Sequence, residues 1–174
     1  MDDREVVAAQ LERPPRSPIE VVARCHLELP VVIAVPPLLD DGTPFPTSCW
    51  LTCPLAVRRI GRIEGVGGVR TAEAMVEDGG AFAAAYQEAM DRYAANRDQL
   101  IAADHTGPRP SGGVGGSSGG VKCLHAHYAD HAAGNDNPVG SWVAAEVEPL
   151  NCTAPCVAEI ESEIGRNPAW VEPR

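Results

Sequence analysis

Apolar and polar positions alternate along VVARCHLELP, residues 21–30. Val21, Ala23, Cys25, Leu27 and Leu29 fall on one side, and Val22, Arg24, His26 and Glu28 on the other. A period of two predicts a half-buried strand. VVIAVPPLL, residues 31–39, predicts a second extended segment closed by the turn signal Asp40-Asp41-Gly42, and PFPTSCWL, residues 44–51, predicts a third. The three suit one small antiparallel sheet. Beyond Cys53 the period lengthens. Pro54 fits a first helical position with Cys53 as the cap before it; Ala56, Ile60 and Ile63 follow at helical spacing, and Gly65 is a stop. A short helix is expected from Ala72 to Asp78, and a long one from Phe82 to Ala103 with Phe82, Tyr86, Ala89, Tyr93 and Leu100 as its apolar stripe. KCLHAHYADHAAG, residues 122–134, predicts a helix ended by Gly134. Ser141 can cap a short helix that stops at Pro149. Thr153 can cap a last helix carrying Pro155 in its first turn and Val157, Ile160 and Ile164 as its stripe.

Ahead of the sheet, residues 1–19 read as a short helix, Val6 to Leu11, and a connector rich in proline. HTGPRPSGGVGGSSGGV, residues 105–121, reads as a flexible linker or a long functional loop, and residues 167–174 read as a tail. The expected architecture is therefore α+β: a small antiparallel sheet at the N-terminal side, then several packed helices, in a single domain over residues 20–166. The chain has 174 residues, 44% of them apolar, which is enough for one core. No run reaches the ~18 apolar residues of a membrane span, so no membrane insertion is expected. The formal charge of −10, from 14 basic and 24 acidic residues, disfavours a nonspecific grip on nucleic acid. A protein partner is left open and unidentified.

The candidate chemistry lies in six cysteines and five histidines. The acidic, polar start MDDREVVAAQLERPPR does not read as a secretory signal. Reduced thiols in the cytoplasm are the expectation, rather than a disulfide framework. Cys53, Cys123 and Cys156 each fall at or near the start of an expected helix, where partial positive charge and free amides favour thiolate. Cys49 and Cys152 stand four residues before two of them. Cys123, His127 and His131 share one face at spacings of four, and His125 is offset from it. Mixed thiolate and imidazole sets suit zinc, and all-thiolate sets suit zinc or an iron–sulfur cluster. No Cys-x2-Cys knuckle is present, so such a site must be assembled from distant segments.

Other signals carry less. The loop ending GGVKC departs from a phosphate loop, because Val121 separates Gly120 from Lys122 and Cys123 replaces the hydroxyl residue. A helix start can still hold an anion, which keeps the single lysine, Lys122, as a candidate. Cys123 with a nearby histidine is the nucleophile hypothesis. Arg58, Arg59 and Arg62 make a small basic face, read as solvated. Asn135, Asp136 and Asn137 lack the order of an EF-hand and read as a turn.

Together PFPTSCWLTCP, GVKCLHAHYADH and GNDNPVG resemble the bacterial family catalogued as domain of unknown function 501, common in actinobacteria. The resemblance runs from about Arg24 to Cys156 and carries no biochemical activity. It pairs Arg24-Cys25, Trp50 to Pro54, Gly120 to His125 and the late cysteines with the family's pattern. It thereby raises Cys25 and His125 and lowers Cys49. The expectation is a thiolate-rich metal site for zinc or an iron–sulfur cluster, with Cys25, Cys53, Cys123, Cys152 and Cys156 as ligands. His125 would be a ligand, a hydrogen-bond donor to one, or a proton-transfer group. Lys122 would offset the thiolate charge. The alternatives are a metal-free enzyme with Cys123 as nucleophile and a metal-free interaction module whose cysteines only pack. No reaction or substrate is assigned.

Overall fold

The computed structural model describes residues 1–173. The alternating stretch at 21–30 is a strand followed by a turn. β1 (Glu20–Arg24) ends where Cys25 to Glu28 turn back, with the Glu28 amide donating to the Cys25 carbonyl at 2.9 Å and the Cys25 amide to the Leu29 carbonyl at 3.0 Å. β2 (Pro30–Ala34) returns antiparallel, pairing Val21 with Ile33 and Arg24 with Pro30 across two register shifts. β3 (Cys49–Leu51) continues the meander, pairing Val32 with Leu51 and Ala34 with Cys49. β2 is the middle strand, and its Val31, Val32 and Ile33 are all buried.

α1 (Asp3–Leu11) starts at Asp2, whose carboxylate accepts the Arg4 and Glu5 amides, the usual repair for orphan donors at a helix start. α2 (Pro54–Gly65) has Pro54 in its first turn and Cys53 as its extended cap residue. α3 (Gly68–Glu77), α4 (Gly80–Gln99), α5 (Leu124–Ala132) and α6 (Pro138–Val147) follow. The main core joins Val32 and Leu51 of the sheet to Leu55 and Ile60 of α2, Leu124 and Tyr128 of α5, and Val139 and Val143 of α6. Full burial of a side chain of this kind contributes roughly 1.5–3 kcal/mol, so this cluster sets where α2 and α5 lie. α5 and α6 meet closely at Gly140, where a Cβ would collide with the His127 carbonyl oxygen.

Three expectations change. α6 begins at Pro138, because Asn137 caps it by accepting the Gly140 amide; Ser141 lies inside the helix. The expected last helix is a hairpin of β4 (Val157–Ile160) and β5 (Glu163–Arg166), in which Glu159 pairs with Ile164. Glu161 and Ser162 turn it with φ of 52° and 72°, the two positive values of a tight hairpin turn. The segment at 105–121 is a packed loop. Val114 and Val121 are buried, and the buried Arg97 guanidinium donates to the Gly112 carbonyl at 2.6 Å. A smaller apolar cluster of Val6, Leu29, Cys156 and Val157, with Cys25, Ile164 and Trp170 against it, ties α1, the β1–β2 turn and the C-terminal hairpin together.

Candidate metal centres

All six cysteines are free, and they divide between two places. Cys25, Cys53, Cys152 and Cys156 line one cavity of about 10 Å³ together with Gln10, Leu27, Leu29, Pro30, Leu55 and Leu150. Cys25 comes from the turn after β1, Cys53 from the cap of α2, and Cys152 and Cys156 from the chain between α6 and β4. The Gln10 side-chain amide donates to the Cys156 sulfur at 3.5 Å, and the Trp170 indole N–H to the Cys152 sulfur at 3.4 Å. His26 Nε2 meets the Cys152 carbonyl oxygen at 2.9 Å, holding that segment against the β1–β2 turn. Arg59 holds its start by donating to the Val147 and Pro149 carbonyls at 2.6 and 2.7 Å. Burial pushes the Cys53 thiol up to about 11, against the pull of the Ala56 and Leu55 amides at the start of α2. Burial also raises Cys156, against the Gln10 hydrogen bond. No three of the four sulfurs lie within 4.8 Å of one another, so closure on one ion requires them to draw together.

Cys123 does not line that cavity. It caps α5 and stands with His125 and Glu64, one ligand atom from each lying within 4.8 Å of the others. Its sulfur is 3.8 Å from His125 Nδ1, which is 3.3 Å from Glu64 Oε1. The same Glu64 oxygen accepts the Leu124 amide at 2.7 Å, and His125 Nε2 reaches the Val57 carbonyl at 3.1 Å. Burial opposes charge on His125. The contacts with Cys123, the Val57 carbonyl and Glu64 outweigh it and push the imidazole up to about 9. Beside this cluster is a cavity of about 470 Å³ lined by Cys49, Trp50, Leu51, Val57, Cys123, His125 and other residues. Burial drives the Cys49 thiol there up to about 12.

The remaining candidates have structural surroundings. His127 is fully buried, its Nδ1 3.1 Å from Asn137 Oδ1, and burial lowers it to about 4. Asn137 in turn donates to the buried Asp130, which is paired with Arg92. Lys122 is exposed beside Cys123 and lines neither cavity. The basic face stays largely exposed while pairing with Glu172 and Trp170. Arg62 pairs with Glu172 at 2.6 Å, and Arg58 lies over the Trp170 ring at 4.9 Å. Cys156 precedes a strand, so no helix start favours its thiolate. Sequence reasoning missed Glu64, which is the sole acidic residue of α2 and legible as such. It also missed Gln10 and Trp170, which carry no comparable signal.

Fold and sites together define a mixed α+β protein whose cysteines gather at two places along one helix, with no disulfide. Among the described residues no helix is long and apolar enough to cross a membrane. The chain belongs to the family described as "Protein of unknown function (DUF501)", whose model matches residues 21–145. The matched stretch takes in Cys25, Cys53, Glu64, Cys123 and His125, and it ends before Cys152 and Cys156. Comparison with curated proteins and with solved structures found no match.

Proposed function

We propose that this is a metal-binding protein whose centre is the cavity between Cys25, Cys53, Cys152 and Cys156, holding zinc or an iron–sulfur cluster. The observation that supports this reading is the convergence of four free cysteines, from three separate parts of the chain, on one small space. Soft sulfur selects softer metals over oxygen-preferring ions. N–H donors to sulfur, here Gln10 and Trp170, are the kind of outer contact that orients thiolate ligands and spreads their charge. Four thiolates would fill the coordination of zinc, so the centre would be structural if zinc and electron-carrying if iron–sulfur. Ligand thiols must be reduced to serve, so this reading goes with a reducing compartment such as the cytoplasm.

Elemental analysis of untagged full-length protein, purified anaerobically, tests the reading. Bound zinc, or iron with sulfide and a brown colour, is expected, with the iron or one equivalent of zinc lost in Cys53→Ser and in Cys156→Ser. Zinc and iron contents unaffected by both substitutions would overturn it. Circular dichroism of the variants separates loss of ligand from loss of fold.

A further inference from the structure

We propose that Glu64, Cys123 and His125 form a second site, for a zinc-class divalent ion held by three protein ligands, with its remaining position open to the apolar cavity beside Trp50. His125 supplies the first reason. Its Nε2 is engaged by the Val57 carbonyl at 3.1 Å. A carbonyl only accepts, so this contact fixes the proton on Nε2. Nδ1 is left facing the Cys123 sulfur at 3.8 Å and Glu64 Oε1 at 3.3 Å. A thiol sulfur and a carboxylate oxygen gathered on Nδ1 are held together by a cation: a proton on Nδ1 that donates to Glu64 is one such cation, and a metal ion taking its place is the other. A backbone carbonyl holding the far nitrogen is also the common support of a ligating histidine.

Spacing supplies the second reason. Zinc bonds of about 2.0–2.3 Å at tetrahedral angles put neighbouring ligand atoms about 3.3–3.7 Å apart. The Nδ1–oxygen distance of 3.3 Å matches such an edge, the Nδ1–sulfur distance of 3.8 Å exceeds its edge by about 0.2 Å, and the sulfur and oxygen lie within 4.8 Å, so a small contraction closes the three on one ion. One sulfur, one imidazole and one carboxylate make a borderline-soft set that suits zinc better than magnesium or calcium. Three protein ligands leave a fourth position, the arrangement that distinguishes reactive zinc sites from closed structural ones. Cys123 and His125 both line the cavity of about 470 Å³, whose walls include Trp50, Leu51, Val57 and Ala126. That position would accept a small, largely apolar molecule with one oxygen or sulfur donor. Glu64 is anchored in advance, because its Oε1 already accepts the Leu124 amide at 2.7 Å. This inference stands independently of the four-cysteine centre, which shares helix α2 and none of these side chains.

The test uses the full-length wild-type chain and two variants. Zinc content after dialysis is compared among wild type, His125→Gln and Cys123→Ala. Each variant is expected to lose one equivalent relative to wild type, whatever the four-cysteine centre holds. Equal zinc in all three would overturn the proposal while leaving the other centre untouched. A second measurement needs no variant: alkylation of Cys123 by iodoacetamide, followed by mass spectrometry, with and without zinc. At least tenfold protection by zinc is expected. A rate unchanged by zinc would overturn the proposal and make a proton the cation shared by the three groups.

Discussion

Cys53 and Cys123 each cap a helix from an extended backbone conformation. Their surroundings differ. Cys53 is buried among three other sulfurs, where loss of water pushes its thiol up to about 11. Cys123 is half-buried beside an imidazole and a carboxylate, on the wall of a much larger cavity of about 470 Å³. The position at a helix start is thus the same local signal at both, and the neighbours decide the chemistry. Four sulfurs in a space of atomic size suit a closed centre, whereas three unlike donors beside a cavity suit an open one. α2 serves both, with Cys53 at its cap for the first and the Val57 carbonyl and Glu64 for the second.

Metal withdrawal should divide the two regions most sharply. Zinc at a thousandfold excess over Kd adds about 4 kcal/mol of stability, which corresponds to about 10 °C in Tm for a chain of this size. A chelator is expected to lower Tm by that order in wild type and by less in Cys53→Ser, which keeps only the Cys123 site. A melt that ignores the chelator would remove the contrast. The next effect concerns the two histidines of α5. His125 is raised and His127, two residues on, is lowered to about 4. The folded chain keeps His127 neutral, while the unfolded chain takes up a proton near its ordinary value of 6.5. That contribution is therefore full above pH 6.5 and is lost as pH falls towards 4, amounting to about 3 kcal/mol. Urea unfolding across this window should show the slope in wild type and a shallower one in His127→Gln. Equal slopes would mean that carboxylates alone carry the acid sensitivity. Smallest is Trp170→Phe, which removes the N–H donor to Cys152. It should cost about 1 kcal/mol and slow alkylation of Cys152, whose thiolate loses its donor, while leaving Cys123 unchanged. A changed rate at both cysteines would show that the two regions are not independent.

Much of the fold was legible because its signals are local. Pro54, the spacing of Ala56 and Ile60, and Gly65 define α2 to the residue. The C-terminal hairpin was not legible. Val157, Ile160 and Ile164 keep helical spacing, and its turn is made by Glu161 and Ser162 without the glycine or asparagine that flags positive φ. Asn137 rather than Ser141 caps α6, since its side chain also bridges His127 and Asp130, contacts that only the packing of α5 on α6 creates. At the sites, the family resemblance grouped Cys25, Cys53, Cys152 and Cys156 as one ligand set, with Cys123 among them and Cys49 set aside. Cys123 was grouped with them on its helix-start position, yet it faces Glu64, a residue that spacing could not attach to it.

The sequence by itself determined the family, the order of strands and helices, and the supply of six thiols, because these follow from motifs, short-range periodicity and composition. Only the tertiary structure decided how those thiols divide. Distances between side chains far apart in the chain are set by the packing of Leu55 and Ile60 against α5, and of Cys156 and Val157 against α1. No local pattern encodes those distances.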